Sequence, residues 1–406
     1  MNTYKNTRSK TIPTFSLTAT TNQVNFYHLF SFLFLILTFL TTLNNSFARE
    51  LFQFQQQIIR NVIVQLVFLL SIAMIIQKKM SAKSWALFSA VSLIILLSSY
   101  FSGETSFINI ILYCAAVNKE DENKVIKSLL IGTLFAVSLV LLMNFFGLIP
   151  NYIQISGEHR IRNSLGFNQP VLLPGFILNI GIAYIFLNRK NITLLKILYL
   201  LIPALTINYS ADGRGSTFAV VTICIFSYLV TKYRLNENEK IISRIVFFSK
   251  SVYLFLFAFS IYSAHNFMNS GWLQILNRIL TGRISLFSEY WQMYNITIFG
   301  QEMIRVTQFA ARGTDLRAIV LDNAYLSMLL GHGLIMTFLI TILIFKLLNI
   351  LKERKDLISI GIWVTLFITF FIATNSLYFW RNALIFQFVY LFEPKANFQK
   401  KKEMSD

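Results

Sequence analysis

Asp322 and Asn323 stand directly before an unbroken apolar run in "VLDNAYLSMLLGHGLIMTFL" (residues 320–339), in a chain with 18 acids against 36 lysines and arginines. A carboxylate at the mouth of an apolar helix has three uses. It caps free N–H groups of the first turn, it takes a proton from a hydroxyl as a general base, or it pairs with an arginine. The residue types leave these uses open, and Asn323 can cap equally well. Tyr325 adds a hydroxyl to the same stretch.

The complementary chemistry is cationic. Arg160 and Arg162 lie in "PNYIQISGEHRIRNSLGFNQ" (150–169), and Arg214 lies between glycines in "SADGRGS" (210–216). Arg278, Arg283 and Arg305 fall in the long polar segment 264–323, with Arg312 and Arg317 further along it. A guanidinium is a planar fork suited to bidentate binding of phosphate or carboxylate. Arg214 at a helix start opposes the helix dipole, so it calls for an anion beside it; the alternative is a glycine turn whose arginine snorkels or pairs with Asp212. Glu158, Glu289, Glu302 and Asp315 read as solvated or ion-paired loop acids, and His332, between two glycines, as a packed, hydrogen-bonded residue.

Other chemistries have no signature here. There is no Asp-x-Asp pair for a metal-bound nucleotide sugar, no phosphate loop, and no His-Glu-x-x-His or paired-Cys spacing for a metal. No metal or cofactor is therefore expected. Cys114 and Cys224 sit in apolar runs and read as core thiols.

The elements that must position these groups follow from composition. The chain has 55% hydrophobic and 13% charged residues and a mean hydropathy of +0.59, which marks an integral membrane protein. Windows of about 20 apolar residues predict spans near 26–43, 60–77, 85–101, 104–117, 127–149, 171–187, 192–208, 215–231, 246–263, 324–347, 357–374 and 377–392. Two of these are short, which leaves about ten to twelve spans in an all-α polytopic bundle. Residues 1–25 and 393–406 read as polar cytoplasmic tails flanking a membrane domain over 26–392. Segment 264–323 reads as one large extracytoplasmic loop with short amphipathic helices. In it Ile284, Phe287, Trp291, Tyr294 and Ile298 recur at helical spacing, with Arg278 and Arg283 at the start of that helix.

With the first tail inside, all 20 lysines fall on inner segments or inner helix ends, the positive-inside pattern. Eleven of 16 arginines fall on the outer side: Arg49, Arg60, Arg160, Arg162, Arg214, Arg278, Arg283, Arg305, Arg312, Arg317 and Arg381. The net charge of +18 thus divides into a topology-setting lysine belt and an outer arginine set. Lipid anchoring accounts for part of that set, and an extracytoplasmic anion site for the rest.

Four stretches together resemble the Wzy-type polysaccharide polymerases and the related O-antigen ligases. "RNSLGFNQP" (162–170) is similar to their R-x-S-L-G-F-x-H-P-N, and "SADGRGS" to an S-R-[GT] turn. "LNRILTGRISLFSEY" with "FGQ" (276–290, 299–301) is similar to N-x-x-L-S-G-R-x-x-L…F-G, and "LDNAYLSMLLGHGLI" (321–335) to D-N-x-Y before a glycine-containing helix start. Gln169 and Val171 depart from the loop's His and Asn, so that pair carries no role. The ligase branch has His-Asn where Asp322-Asn323 stands, which points to the polymerase branch.

The resemblance implies joining of undecaprenyl-diphosphate-linked oligosaccharide repeat units into capsule, exopolysaccharide or O-antigen at the outer leaflet of a bacterial plasma membrane, with both termini cytoplasmic. Neither metal nor nucleotide is required, because the sugar–diphosphate bond carries the energy. Expected partners are the lipid-linked substrates, membrane lipid, and a chain-length regulator and flippase of the same pathway; nucleic acid is not among them. Asp322, Arg214 and Arg283 are the expected catalytic residues. Arg162, Arg278, Arg160, Asn323, Tyr325 and Arg305 are expected to bind diphosphate or sugar. A ligase of the same chemistry, or a flippase or other transporter, is the alternative; spans almost free of charge argue against a transporter.

Overall fold

The computed structural model describes residues 17–51, 53–78, 80–156, 160–307, 311, 317–373, 378 and 381–392. Arg312, Glu158, His159, Asp315, most of the first polar tail and all of 393–406 lie outside the described residues. Helices dominate: α1 (Leu17–Asn44), α2 (Ala48–Leu51), α3 (Gln53–Gln77), α4 (Ala82–Ser102), α5 (Ser106–Ala116) and α6 (Glu122–Phe145) precede the first strands. A hairpin of β1 (Ile153–Ser156) and β2 (Arg160–Asn163) follows, antiparallel, with Gln154 opposite Arg162. Then come α7 (Leu172–Asn188), α8 (Leu194–Ala211), α9 (Arg214–Lys232), α10 (Glu239–Asn266), α11 (Gly271–Ile279) and α12 (Arg283–Met293). The rest is α13 (Ala324–Leu326), a π-turn (Ser327–His332), α14 (Gly333–Glu353), α15 (Leu357–Phe370) and a 3-10 helix (Ala383–Leu391). The hairpin is the only sheet among the described residues.

Among the described residues, eight helices are long and apolar enough to cross a membrane, so the chain is an all-α polytopic membrane bundle. Four of the twelve expected spans take a different form. Residues 104–117, 171–187 and 357–374 become α5, α7 and α15, three shorter apolar helices, and 377–392 contains the nine-residue 3-10 helix. These short elements fill the centre. Every residue from Ala383 to Leu391 is buried, as are most of α7 and α15, whereas α3, α4 and α10 keep large apolar side chains such as Leu69, Leu93 and Phe255 exposed, as lipid-facing helices do.

A long 3-10 helix has poor hydrogen-bond geometry, and irregular backbone at membrane depth survives only inside protein. Side chains secure this one. Asn382 Oδ1 accepts from Leu384 N, Asn179 Oδ1 from Ala383 N (2.7 Å), and Gln387 joins Trp363 Nε1 to Ser359 Oγ, each at 2.9 Å.

The helix ends sort by charge. At one end, Lys78 donates to the carbonyls of Ala115 and Val117, Arg189 meets Asp356 at 3.2 Å, and Lys355 meets Glu239 at 2.9 Å. At the other, Phe47 N bonds Gly166 O, Asn163 reaches Ser210 O, and Arg305 meets Glu104. The first end thus carries lysines with Arg189 among them, and the second carries Arg162, Arg214, Arg283 and Arg305 and no lysine among the described residues, so it is called the arginine end.

The expected amphipathic helix over 284–298 is cut short. α12 ends at Met293, with Tyr294 extended just beyond it and Ile298 in a bend further on. Ile296 and Thr297 are β-branched and Gly300 takes a φ of +105°, all unfavourable in a helix. That chain instead runs along the π-turn, where Leu334 N and Ile335 N donate to the carbonyls of Thr297 and Ile298, and Gln301 N donates to Gly331 O. Two glycines permit the approach: a Cβ on Gly333 would meet Gly300 N at 2.3 Å, and one on Gly300 would meet Gly331 O at 2.3 Å.

Candidate functional site

α13 begins at the arginine end with an extended Asn323. Its Oδ1 accepts from Leu326 N at 2.8 Å, which makes it the N-cap. Its Nδ2 donates to Ser260 Oγ (3.0 Å) and to Phe371 O (3.2 Å), and the residue is fully buried. The cap is therefore taken, and Asp322 has no capping role. Tyr325 is also a structural residue: buried, it donates to Phe367 O at 2.9 Å. Asn323 and Tyr325, both expected to hold substrate, thus have their side-chain partners within the fold.

Asp322 faces arginines. Arg283, the first residue of α12, places Nε 3.9 Å from Asp322 Oδ2, and Arg162 on β2 and Arg381 before the 3-10 helix also act on it through charge. The group forms a recess: protein packs round the aspartate, yet 44% of its side-chain surface stays accessible, with 25% for Arg283 and 12% for Arg162. Burial pushes the Asp322 carboxyl above the ordinary aspartate range, against the opposing pull of Arg283, Arg381 and Arg162.

Among the described residues, Arg283 and Arg381 alone outnumber the one carboxylate they face. The Nε atoms of Arg283 and Arg381 are buried without a hydrogen-bond acceptor among the described residues. Buried donors are normally satisfied, and an anion in the recess supplies what they lack. Arg381 reaches its place because Gly175 on α7 has no side chain: a Cβ there would lie 2.7 Å from Arg381 Nη1.

Asp212 adds a second acid. It occupies the left-handed region (φ +50°) in the α8–α9 turn, 3.0 Å from Arg214 Nε and 3.6 Å from Arg162 Nε. Arg162 thus stands between Asp212 and Asp322. Arg214 is the first residue of α9, with 73% of its side chain accessible, and Asp212 is its partner. The structure brings Arg162 and Arg283 to Asp322, while Arg214 reaches that group only by way of Asp212.

The remaining expected residues lie elsewhere. Arg278 ends α11 instead of starting α12, and it is exposed with no ion pair among the described residues. Arg160 opens β2 opposite Ser156. Arg317 pairs with Glu289 at 3.2 Å. Arg305 is engaged by Glu104 Oε1 (2.6 Å) and donates to Ser327 Oγ (3.1 Å), so it is a tie between segments and not a free anion ligand.

Sequence reasoning counted Arg381 among the outer arginines without assigning it to the site. The signal was a lone guanidinium before an apolar run, "WRNALIF"; the glycine that admits it lies in another helix. Glu104 falls at the first position of the expected span 104–117, and its donors Arg305 and Tyr378 lie 201 and 274 positions further along the chain. No family model, curated protein or solved structure matches this chain.

Proposed function

We propose that the chain is a polysaccharide polymerase that joins lipid-diphosphate-linked oligosaccharide repeat units, with the recess around Asp322 as its active site. The carrying observation is that Arg162, Arg283 and Arg381 converge on one accessible aspartate, and that the buried Nε atoms of Arg283 and Arg381 have no acceptor among the described residues. That is the equipment for a leaving diphosphate beside a proton acceptor.

In the reaction, the acceptor sugar's hydroxyl oxygen attacks C1 of the donor sugar, the C1–O bond to the diphosphate breaks, and the hydroxyl proton passes to the Asp322 carboxylate. The diphosphate gains negative charge as the bond breaks, so guanidinium groups aimed at it stabilise the transition state more than the bound substrate. Arg283 and Arg381 take this role, and Arg162 orients the aspartate while sharing Asp212. The elevated carboxyl of Asp322 makes it a better base than an ordinary aspartate, provided the pH is above its titration.

The lysine and arginine ends support an extracytoplasmic site, since lysines gather where the positive-inside pattern puts the cytoplasm. The substrates on this reading are undecaprenyl-diphosphate-linked oligosaccharides at the outer leaflet of a bacterial plasma membrane. A carbohydrate gel of surface polysaccharide from a deletion strain tests the reading. Single repeat units without long chains support polymerisation; unattached full-length polymer or normal chains overturn it.

A further inference from the structure

Glu104 lies in the short turn between α4 and α5, next to Gly103 in the left-handed region (φ +70°). Three donors from three separate segments converge on its one carboxylate. Arg305 Nη1 (2.6 Å) and the Tyr378 hydroxyl (2.8 Å) reach Oε1, and His332 Nε2 (2.9 Å) reaches Oε2. Charge-assisted bonds of this length are among the stronger side-chain contacts. Against the cost of burial, the His332 hydrogen bond and the Arg305 charge hold the Glu104 carboxyl down to about 2.

Each donor belongs to a limb that carries or flanks the recess. The Tyr378 carbonyl accepts the N–H of Arg381 and that of Asn382, both at 2.9 Å, so Arg381 is fixed one turn from the Glu104 contact. His332 closes the π-turn that follows Asp322 and the α13 cap. Arg305 grips the same turn a second time through Ser327 Oγ. The Ser98 hydroxyl donates to His332 O at 2.9 Å and the Phe107 ring packs edge-on to the imidazole at 4.9 Å, beside the Nε2 contact with Glu104.

We propose that Glu104 is a positioning residue of the recess: through Tyr378 and His332 it holds Arg381 and Asp322 facing each other. An apolar replacement would fill the same space but would not dictate direction, and directional contacts of this kind are the use for which buried charges are best attested. The proposal rests on reading the recess as the site, and its test needs no substrate, so absence of polymerising activity does not bear on it.

The test is the titration of Asp322 in the full chain, reconstituted in lipid and followed by infrared difference spectroscopy. Each background is compared with the same background carrying Asp322→Asn, which isolates that one carboxyl. The charged groups facing Asp322 are Arg283, Arg381 and Arg162. Arg381→Met removes one cation and moves the titration to higher pH. Glu104→Gln and Tyr378→Phe move it the same way, because Arg381 swings off. The sign discriminates: loss of the Glu104 negative charge acting through space alone would move the titration to lower pH. The double variant Glu104→Gln/Arg381→Met moves no further than Arg381→Met, as for residues acting through one another. The proposal is overturned by a titration that Arg381→Met does not move, by one that Glu104→Gln and Tyr378→Phe leave in place or lower, or by additive shifts in the double variant. Where Glu104→Gln fails to insert, Tyr378→Phe, which removes only a hydroxyl, decides the matter.

Discussion

Replacing Asp322 by Asn and, separately, by Ala separates chemistry from folding. Asn323 holds the cap through Leu326 N, so neither change unravels the start of α13. The lost ion pair is long, 3.9 Å to Arg283, between side chains 25% and 44% accessible; pairs of that exposure contribute about 0–1 kcal/mol. Burial of the carboxylate opposes even that gain. Both variants are therefore expected to melt within ~1 kcal/mol of the parent. The reaction loses its proton acceptor, and general-base catalysis is worth about 10²–10⁴ in rate, or roughly 3–5 kcal/mol in the barrier. The assay is chain-length distribution on a carbohydrate gel from cells whose membranes hold equal amounts of each variant. Long chains should vanish with both. Parental chain length with Asn or with Ala would refute the assignment of Asp322 as base.

Three further outcomes follow from the same geometry. Gly175→Ala puts a Cβ 2.7 Å from Arg381 Nη1, the movable end of a long side chain, so the guanidinium is displaced while the bundle stays folded; membrane levels and melting should hold while polymer length falls as with Arg381→Met. Initial rates measured against pH should fall on the acid side as Asp322 takes up its proton, with the midpoint above the ordinary aspartate range, because burial outweighs Arg283, Arg381 and Arg162. The folded chain lowers Glu104 from 4.5 to about 2, so its stabilisation is complete above about 4.5 and is lost as pH falls toward 2; melting should weaken across that window by at most about 3–4 kcal/mol, and Glu104→Gln should abolish this part of the pH dependence.

The long helices were legible because about 20 apolar residues in a row have one use in lipid. The central elements were not legible as to type. An apolar stretch such as Ala383–Leu391 reads alike as a lipid-facing helix or a buried 3-10 segment, and the difference is made by partners such as Asn179, Ser359 and Trp363 that contact it across the fold. For the site, Asp322, Arg283 and Arg162 could be picked out by type and by local surroundings. Arg381 and Glu104 could not, since their roles depend on Gly175 and on donors more than two hundred positions away. Arg278 and Arg283 were assigned to one helix because helical periodicity does not show the left-handed Thr281–Gly282 break that parts α11 from α12.

The most direct test of the central claim is an assay of the purified full chain in lipid, given lipid-diphosphate-linked repeat units, without nucleotide and with metal chelated. A polymerase should give a ladder of lengthened chains with one lipid diphosphate released per added unit, both lost with Arg283→Met. Repeat units recovered unchanged from a folded, lipid-inserted preparation, or ladder formation that survives Arg283→Met, would contradict that claim.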